Sequence, residues 1–137
     1  MAENKTKVVI LGGGFAGIKT ALELADNPTL SVTLVSDQDN FRYYPTLYRA
    51  ATGAKTAAYS IPLEEIFTGK SVKIINDSIK KIDREAKTIS GKDSYKYDVL
   101  VAGLGVVTNY FGIKGLPEYS YGIKTQDDAR ELRDHIH

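Results

Sequence analysis

Val8-Val9-Ile10-Leu11-Gly12-Gly13-Gly14-Phe15-Ala16-Gly17 is an apolar run that ends in spaced glycines and passes at once into a helical pattern. The spacing Gly12-x-Gly14-x-x-Gly17 reads as a dinucleotide-binding turn. In such a turn the first glycine allows a tight strand-to-helix reversal, and the second lets a pyrophosphate lie against bare backbone. The third lets the helix rest close on its strand. The helix start then presents N–H groups without intrahelical partners, and a partial positive charge, to the phosphates. Taken alone, the glycines explain a tight loop as well as a phosphate site. Their context favours the site. Ala16, Gly17, Thr20 and Ala21 are small residues on the helix side that approaches the sheet, and a second apolar run, Val32 to Val35, ends at Ser36-Asp37. An acid about twenty residues past the glycines is the usual partner of a ribose hydroxyl.

The chain has 137 residues, enough for one modest domain with its own core. Its 18 basic and 17 acidic residues leave a net charge of +1 and form no basic block, which argues against nucleic acid and anionic lipid as partners. No apolar run approaches membrane-spanning length. The polar start, Met1 to Lys7, leads straight into the first strand, so we expect no signal peptide and a cytoplasmic setting. Cysteine is absent, so this stretch relays no electrons through a Cys-x-x-Cys pair. His135 and His137 stand together at the C-terminal end, and without other ligands we expect no metal site.

Pattern reading predicts strand 7–12, a helix over 15–26 closed by Asn27-Pro28, and strand 31–36, together a β-α-β unit. A polar, tyrosine-rich connection runs from Asp39 to Tyr59, and Ser60 to Phe67 reads as a short helix with proline in its first turn. Val72 to Ile75 is expected as a third sheet strand. Ser78–Ile82 and Lys87–Ile89 are expected as hairpin strands, with a further turn at Gly91-Lys92-Asp93. Tyr95 to Ala102 reads as one apolar strand covered on both faces. Gly103, Gly105, Gly112 and Gly115 interrupt the stretch beyond it, and Thr125 is placed to cap a last helix. The fold class is α/β, a Rossmann-like parallel sheet with helices plus a small β-meander.

Three further segments bear on function. Phe41 to Gly53, aromatic and stiffened by Pro45, either forms one wall of a flat-ring pocket or simply packs Tyr43, Tyr44 and Tyr48 under a loop. The exit Gly103-Leu104-Gly105 comes after the strand ending at Ala102, and ligands of open parallel sheets sit beyond the carboxyl ends of strands, so it either shares a crevice with Gly12–Gly17 or serves only as a crossover loop. Asn76-Asp77-Ser78-Ile79 leaves the third strand on the same side, where backbone groups can meet a base.

Across nearly its whole length the chain resembles the N-terminal part of the two-dinucleotide-binding flavoproteins, and within them the type II NADH dehydrogenases (NADH:quinone oxidoreductases). The residues that carry the likeness begin with Gly12 to Gly17, then Asn40-Phe41 through Pro45-x-Leu47-Tyr48 to Ala51-Thr52-Gly53. They continue with Tyr97-Asp98-x-Leu100-Val101, Leu104-Gly105, Thr108 to Ile113 with Gly115, and Lys124-Thr125-x-x-Asp128-Ala129.

The resemblance implies FAD at the first glycine motif, with Gly12, Gly14, Phe15, Ala16 and Gly17 around the pyrophosphate. It implies the Ile79 backbone at the adenine, Pro45 and Thr52 near the isoalloxazine, and Leu104 and Gly105 lining the crevice. It implies hydride transfer from NADH to the flavin and reduction of a quinone, and it assigns no catalytic residue here. The family's acid falls where Ser36 stands, so either the register shifts and Asp37 holds the ribose, or Ser36 does. There is no second glycine fingerprint. Residues 1–137 are therefore expected to be the N-terminal part of an FAD-binding domain, with the NAD(P)H-binding domain and C-terminal part absent and the chain alone inactive. In the parent we expect peripheral association with the inner face of the cell membrane through segments absent here; for the isolated chain we expect self-association. The alternatives are a related reductase, sulfide:quinone or ferredoxin-reductase-like, and a non-catalytic nucleotide-binding module.

Overall fold

The computed structural model describes residues 5–53 and 60–136, so Tyr59 and His137 lie outside the described residues. The chain divides into two units, one of Met1–Phe41 with Pro62–Gly105 and one of Arg42–Ile61 with Val106–His137.

The first unit is built on four parallel strands, β1 (Thr6–Leu11), β2 (Leu30–Ser36), β5 (Val72–Asn76) and β9 (Val99–Ala102), in the order β5-β2-β1-β9. Period-two alternation sorts their side chains onto two faces. Val8, Ile10, Val32 and Leu34 meet Ile18 and Ala21 of α1 (Phe15–Leu24), together with Leu63 and Phe67. Val9, Leu11 and Val35 face the other way, onto Ile89 and Tyr97. Burying each large aliphatic side chain contributes about 1.5–3 kcal/mol, so a sheet covered on both faces at its centre needs the continuous apolar runs seen in β1 and β2. The chain steps outward from β1 to β2 to β5, then returns to the far side of β1 as β9. That reversal opens a crevice beyond the carboxyl ends of β1 and β9.

Between β5 and β9 lies an antiparallel meander, β6 (Lys81–Asp83), β7 (Thr88–Ser90) and β8 (Ser94–Lys96), with Ile82, Ile89 and Tyr95 in one cross-strand row. The expected single strand from Tyr95 to Ala102 is two strands. The chain leaves the meander after Lys96, turns through Tyr97-Asp98, and enters the parallel sheet as β9. The turn is fixed by both polar groups of Asp98: its carboxylate accepts the Lys7 N–H at 2.7 Å, and its N–H donates to the Lys7 carbonyl at 2.9 Å. Nor is β9 covered on both faces, since Val99 is 47% exposed and β9 lies at the end of the sheet.

Two other expectations shift. Ser60 to Phe67 is not one helix. Ser60–Pro62 is strand β4, and Pro62, with ψ at 134°, is the residue before helix α3 (Leu63–Ile66). Extended backbone at Pro62 starts the helix behind the proline rather than on it. Ser78 to Lys80 stays irregular, with the first meander strand beginning at Lys81, and α1 ends at Leu24.

Strand β3 (Asn40–Arg42) ends where the second unit begins; that unit holds a 3-10 turn at Tyr44–Thr46 and helix α2 (Tyr48–Ala51), and later α4 (Leu116–Tyr119) and α5 (Gln126–Ile136). Its core is Leu47, Ala50 and Ala129, which join α2 to α5. Thr125 caps α5 as expected: its hydroxyl accepts the Asp128 N–H at 3.0 Å, and the Asp128 carboxylate accepts the Thr125 N–H at 2.9 Å. Burial works against the charged form of Asp128. The Thr125 hydroxyl and surrounding N–H groups outweigh it and hold the carboxyl below the usual range.

Candidate nucleotide-binding site

The glycine turn joins β1 to α1, and each glycine in it has a different reason to be there. Gly12 has a φ of +102°, which side chains rarely adopt, and a Cβ there would lie 2.4 Å from the Gly103 carbonyl oxygen. A Cβ on Gly17 would lie 1.8 Å from the Gly12 oxygen, so this glycine brings the helix onto the turn. A Cβ on Gly13 would press on the Ser36 hydroxyl at 2.7 Å. Gly14 differs. Its φ is −92°, open to any residue, and a Cβ there would meet nothing within 4 Å. Neither backbone strain nor packing among the described residues requires glycine at position 14. Bare backbone facing open space is what an approaching pyrophosphate uses.

Gly14 is also the N-cap of α1. No side chain caps the helix, and no acid stands in its first turn to compete for an anion. The positive end of the helix is therefore left for a ligand. Gly12 and Gly103 tie three strand exits together: the Gly12 N–H donates to the Val35 carbonyl of β2 and the Gly103 N–H, just past β9, to the Leu11 carbonyl of β1, both at 2.8 Å. Sequence reading expects the exit at Gly103 beside this turn, and the structure adds the approach of the Gly103 carbonyl to Gly12 itself. Its partner is distant in the chain, and only the β1–β9 pairing brings it near.

Phe15 and Ala16 open α1, and Phe15 packs edge-on against Phe41 with ring centroids 4.9 Å apart. Ser36 ends β2, nearly fully buried, and its hydroxyl accepts the Gln38 N–H at 3.1 Å; Asp37 is exposed on the bend just after it. Ile79 lies past the end of β5, and Leu104 and Gly105 past the end of β9. Gly12, Gly14, Phe15, Ala16, Gly17, Ser36, Asp37, Ile79, Leu104 and Gly105 all belong to the first unit, on the carboxyl-end side of its sheet. Pro45, in the 3-10 turn, and Thr52, which closes α2, belong to the second unit.

The sequence reading gave Asp77 no role of its own, yet it is the most heavily engaged polar residue of the first unit. It is 2% exposed, and its carboxylate accepts the Lys92 N–H at 2.9 and 3.0 Å, the Asp93 N–H at 3.4 Å and the Tyr95 hydroxyl at 2.8 Å. The Lys92 N–H above all holds this carboxyl below its ordinary value, against the opposing effect of burial. Burial, and then the bond to Asp77, pushes the Tyr95 hydroxyl up to about 12. The sequence signal was a lone acid at a strand end with a Gly-Lys-Asp turn further on, and only the folded meander joins them.

A cleft of about 300 Å³ near the ends of β2 and β5 is lined by Gln38, Asp39, Asn40, Leu63, Glu64 and Asn76, among others. None of the glycine-turn residues lines it, and its two carboxylates disfavour phosphate. Among the described residues no helix is long and apolar enough to cross a membrane.

The fold and the turn together define a Rossmann-like α/β dinucleotide-binding protein. Residues 6–137 match the family described as pyridine nucleotide-disulphide oxidoreductase, and the chain belongs to that family. Over 99% of its length the chain is 34% identical to a type II NADH:quinone oxidoreductase of Staphylococcus haemolyticus and 33% identical to one of Staphylococcus aureus. It spans about a third of the length of these curated relatives, 35% in each case. Among solved structures, the sulfide:quinone oxidoreductase of Aquifex aeolicus matches with a TM-score of 0.86 at 32% identity, covering 96% of this chain and 31% of that one. NDH2 of Plasmodium falciparum, solved in complex with NADH, matches with a TM-score of 0.82 at 27% identity, covering 95% of this chain and 28% of that one.

Proposed function

We propose that this chain is the N-terminal part of the FAD-binding domain of an enzyme that passes a hydride from NADH through FAD to a quinone. The observation that carries the FAD site is Gly14, a glycine that no contact among the described residues requires, with open space before it, at an uncapped helix start. Bound flavin supplies the hydride chemistry, and the protein supplies position and electrostatics. In this reading Gly12, Gly14, Phe15, Ala16 and Gly17 hold the pyrophosphate on backbone N–H groups. Ser36 or Asp37 holds the ribose, and the Ile79 main chain meets the adenine. Leu104 and Gly105 line the crevice, and Pro45 and Thr52 serve the flavin end.

The NAD(P)H-binding domain and the rest of the FAD-binding domain belong to the remaining two thirds of a parent as long as the relatives. That parent docks peripherally on the inner face of the cell membrane. The 137-residue chain carries one dinucleotide fingerprint for two dinucleotides, so it oxidises no NADH by itself. The likeness to the sulfide:quinone oxidoreductase supports a second reading, in which sulfide is the donor. Sulfide chemistry calls for cysteines, which this chain lacks, so under that reading they come from the rest of the parent.

The test is titration of the purified chain with FAD, monitored by flavin fluorescence. Wild type is expected to quench and retain flavin, and Gly14→Val to lose it, because the valine fills the approach to the backbone. Flavin retained equally by Gly14→Val would refute the site.

A further inference from the structure

We propose that Asp77 is a positioning residue for adenine recognition, holding the exit of β5 so that the Ile79 main chain offers a donor and an acceptor to the base. The proposal rests on the FAD reading above. Asp77 is fastened on two sides. Its N–H donates to the Ser36 carbonyl at 2.9 Å, which ties it to the end of β2 where the ribose is expected. Its carboxylate gathers the Lys92 and Asp93 N–H groups and the Tyr95 hydroxyl, which ties it to the β7–β8 turn and the strand after it. Just beyond, the Lys80 N–H donates to the Ser90 carbonyl at 2.8 Å.

Ser78 and Ile79 are therefore suspended between two fixed points. The Ile79 side chain is half-buried against the cluster of Val9, Leu11, Val35, Ile89 and Tyr97. Its own N–H and C=O have no hydrogen-bond partner among the described residues. A single irregular residue, held at both ends with both polar groups unused, is poised for an adenine edge. There, N1 accepts and the N6 amine donates. Hypoxanthine presents the opposite pattern, a donor at N1 and an acceptor at O6.

The carboxylate is needed because the Lys92 and Asp93 N–H groups around it can only donate, and the Tyr95 hydroxyl donates too. An ionised carboxylate only accepts, with room for about four hydrogen bonds, whereas an asparagine amide would turn donors toward donors. Gly91 is fitted to the same purpose, since a Cβ there would lie 2.4 Å from an Asp77 carboxylate oxygen. Buried charge of this kind is a weak source of stability compared with apolar packing. Placement of the β5 exit gives it a role that apolar packing could not fill.

The experiment measures binding of FAD, ADP and IDP to the 137-residue chain by calorimetry, for wild type, Asp77→Asn and Tyr95→Phe. Wild type is expected to prefer ADP to IDP by about tenfold, the worth of roughly one well-made hydrogen bond. In both variants that preference should shrink toward unity. Overall stability alone does not move this ratio, because it compares two ligands on one protein. Should Asp77→Asn fail to fold, Tyr95→Phe decides, since it removes one donor and keeps the carboxylate. An unchanged ADP preference in the folded variants overturns the role of Asp77 and leaves the FAD reading standing. A wild type that binds neither FAD nor ADP overturns both.

Discussion

Replacing Gly17 or Gly14 by alanine separates a glycine that serves the fold from one that serves a ligand. At Gly17 the new Cβ would lie 1.8 Å from the Gly12 carbonyl oxygen, far inside contact distance, and the obstacle is backbone that no side-chain rotation can move. Helix α1 must back away from β1, loosening Ile18 and Ala21 from Val8 and Ile10. Overpacking of this kind costs about 1–3 kcal/mol, and more where the backbone must shift. Alanine recovers about 0.5–1 kcal/mol of helix propensity over glycine, too little to offset it. For a chain of this size each kcal/mol corresponds to about 3–4 °C in melting temperature. With a backbone obstacle the cost lies at the upper end, about 3 kcal/mol, so net of the helix gain the Gly17→Ala protein should melt about 5–10 °C below wild type.

At Gly14 the same methyl meets nothing and the backbone already suits alanine. Reduced freedom of the unfolded chain stabilises by about 0.4–1 kcal/mol, while alanine is the poorer N-cap by a similar amount. The net change in stability is close to zero, but FAD affinity should fall by about tenfold or more as the methyl displaces a phosphate from one or more N–H groups. Thermal melts monitored by circular dichroism, paired with FAD titrations, read both quantities. The reasoning fails if Gly14→Ala melts as low as Gly17→Ala, or if Gly14→Ala binds FAD as tightly as wild type.

Asp37→Ala should weaken FAD binding more than Ser36→Ala, because the Ser36 hydroxyl already accepts the Gln38 N–H, whereas an exposed carboxylate offers a charge-assisted bond worth about 1.5–3 kcal/mol; the reverse ranking of flavin dissociation rates rejects this. The lowered folded-state value of Asp77 makes its contribution to stability complete above its ordinary value of 3.8 and lost as pH falls through the lower folded value. Acid titrations of Asp77→Asn should accordingly converge toward wild type only below pH 3.8. For Tyr95 the sign is opposite. Its contribution is complete below 10.0 and lost as pH rises through about 12, so Tyr95→Phe should flatten the alkaline limb of a pH–stability curve. Val106, Val107 and Phe111 are each more than 80% exposed, and β9 lies at the end of its sheet. We expect these surfaces to recruit a second copy of the chain, and light scattering across a dilution series that shows a monomer at high concentration would refute this.

The β1-α1-β2 unit was legible because two independent signals agree there: continuous apolar runs demand strands covered on both faces, and the glycine spacing demands a turn between them. The Thr125 cap was legible because its chemistry is local. The break at Tyr97-Asp98 was not, since no Gly or Pro interrupts Tyr95 to Ala102 and the reason to break is a pair of hydrogen bonds to distant Lys7. At Ser60–Phe67 the helix signals were real, but proline ended an extended segment before they took effect. Of the candidate site, the glycines and strand exits could be read. The contact between Gly103 and Gly12 and the role of Asp77 could not, because each comes from a partner brought near by strand pairing or by the folded meander.

That β9 pairs with β1, and not with the strand before it in the chain, also sets an order of assembly. As the chain leaves the ribosome, Thr6 to Ser36 can pair β1 with β2 and lay α1 across them long before Val99 is made. During that interval the second edge of β1 stays open, and the Gly103 carbonyl that presses on Gly12 is missing. The nucleotide turn therefore takes its final shape only when the last strand of the sheet docks. Nascent chains arrested before residue 99 should hold the helix but bind flavin poorly. Such chains carry an open strand edge of the kind that chaperones shield.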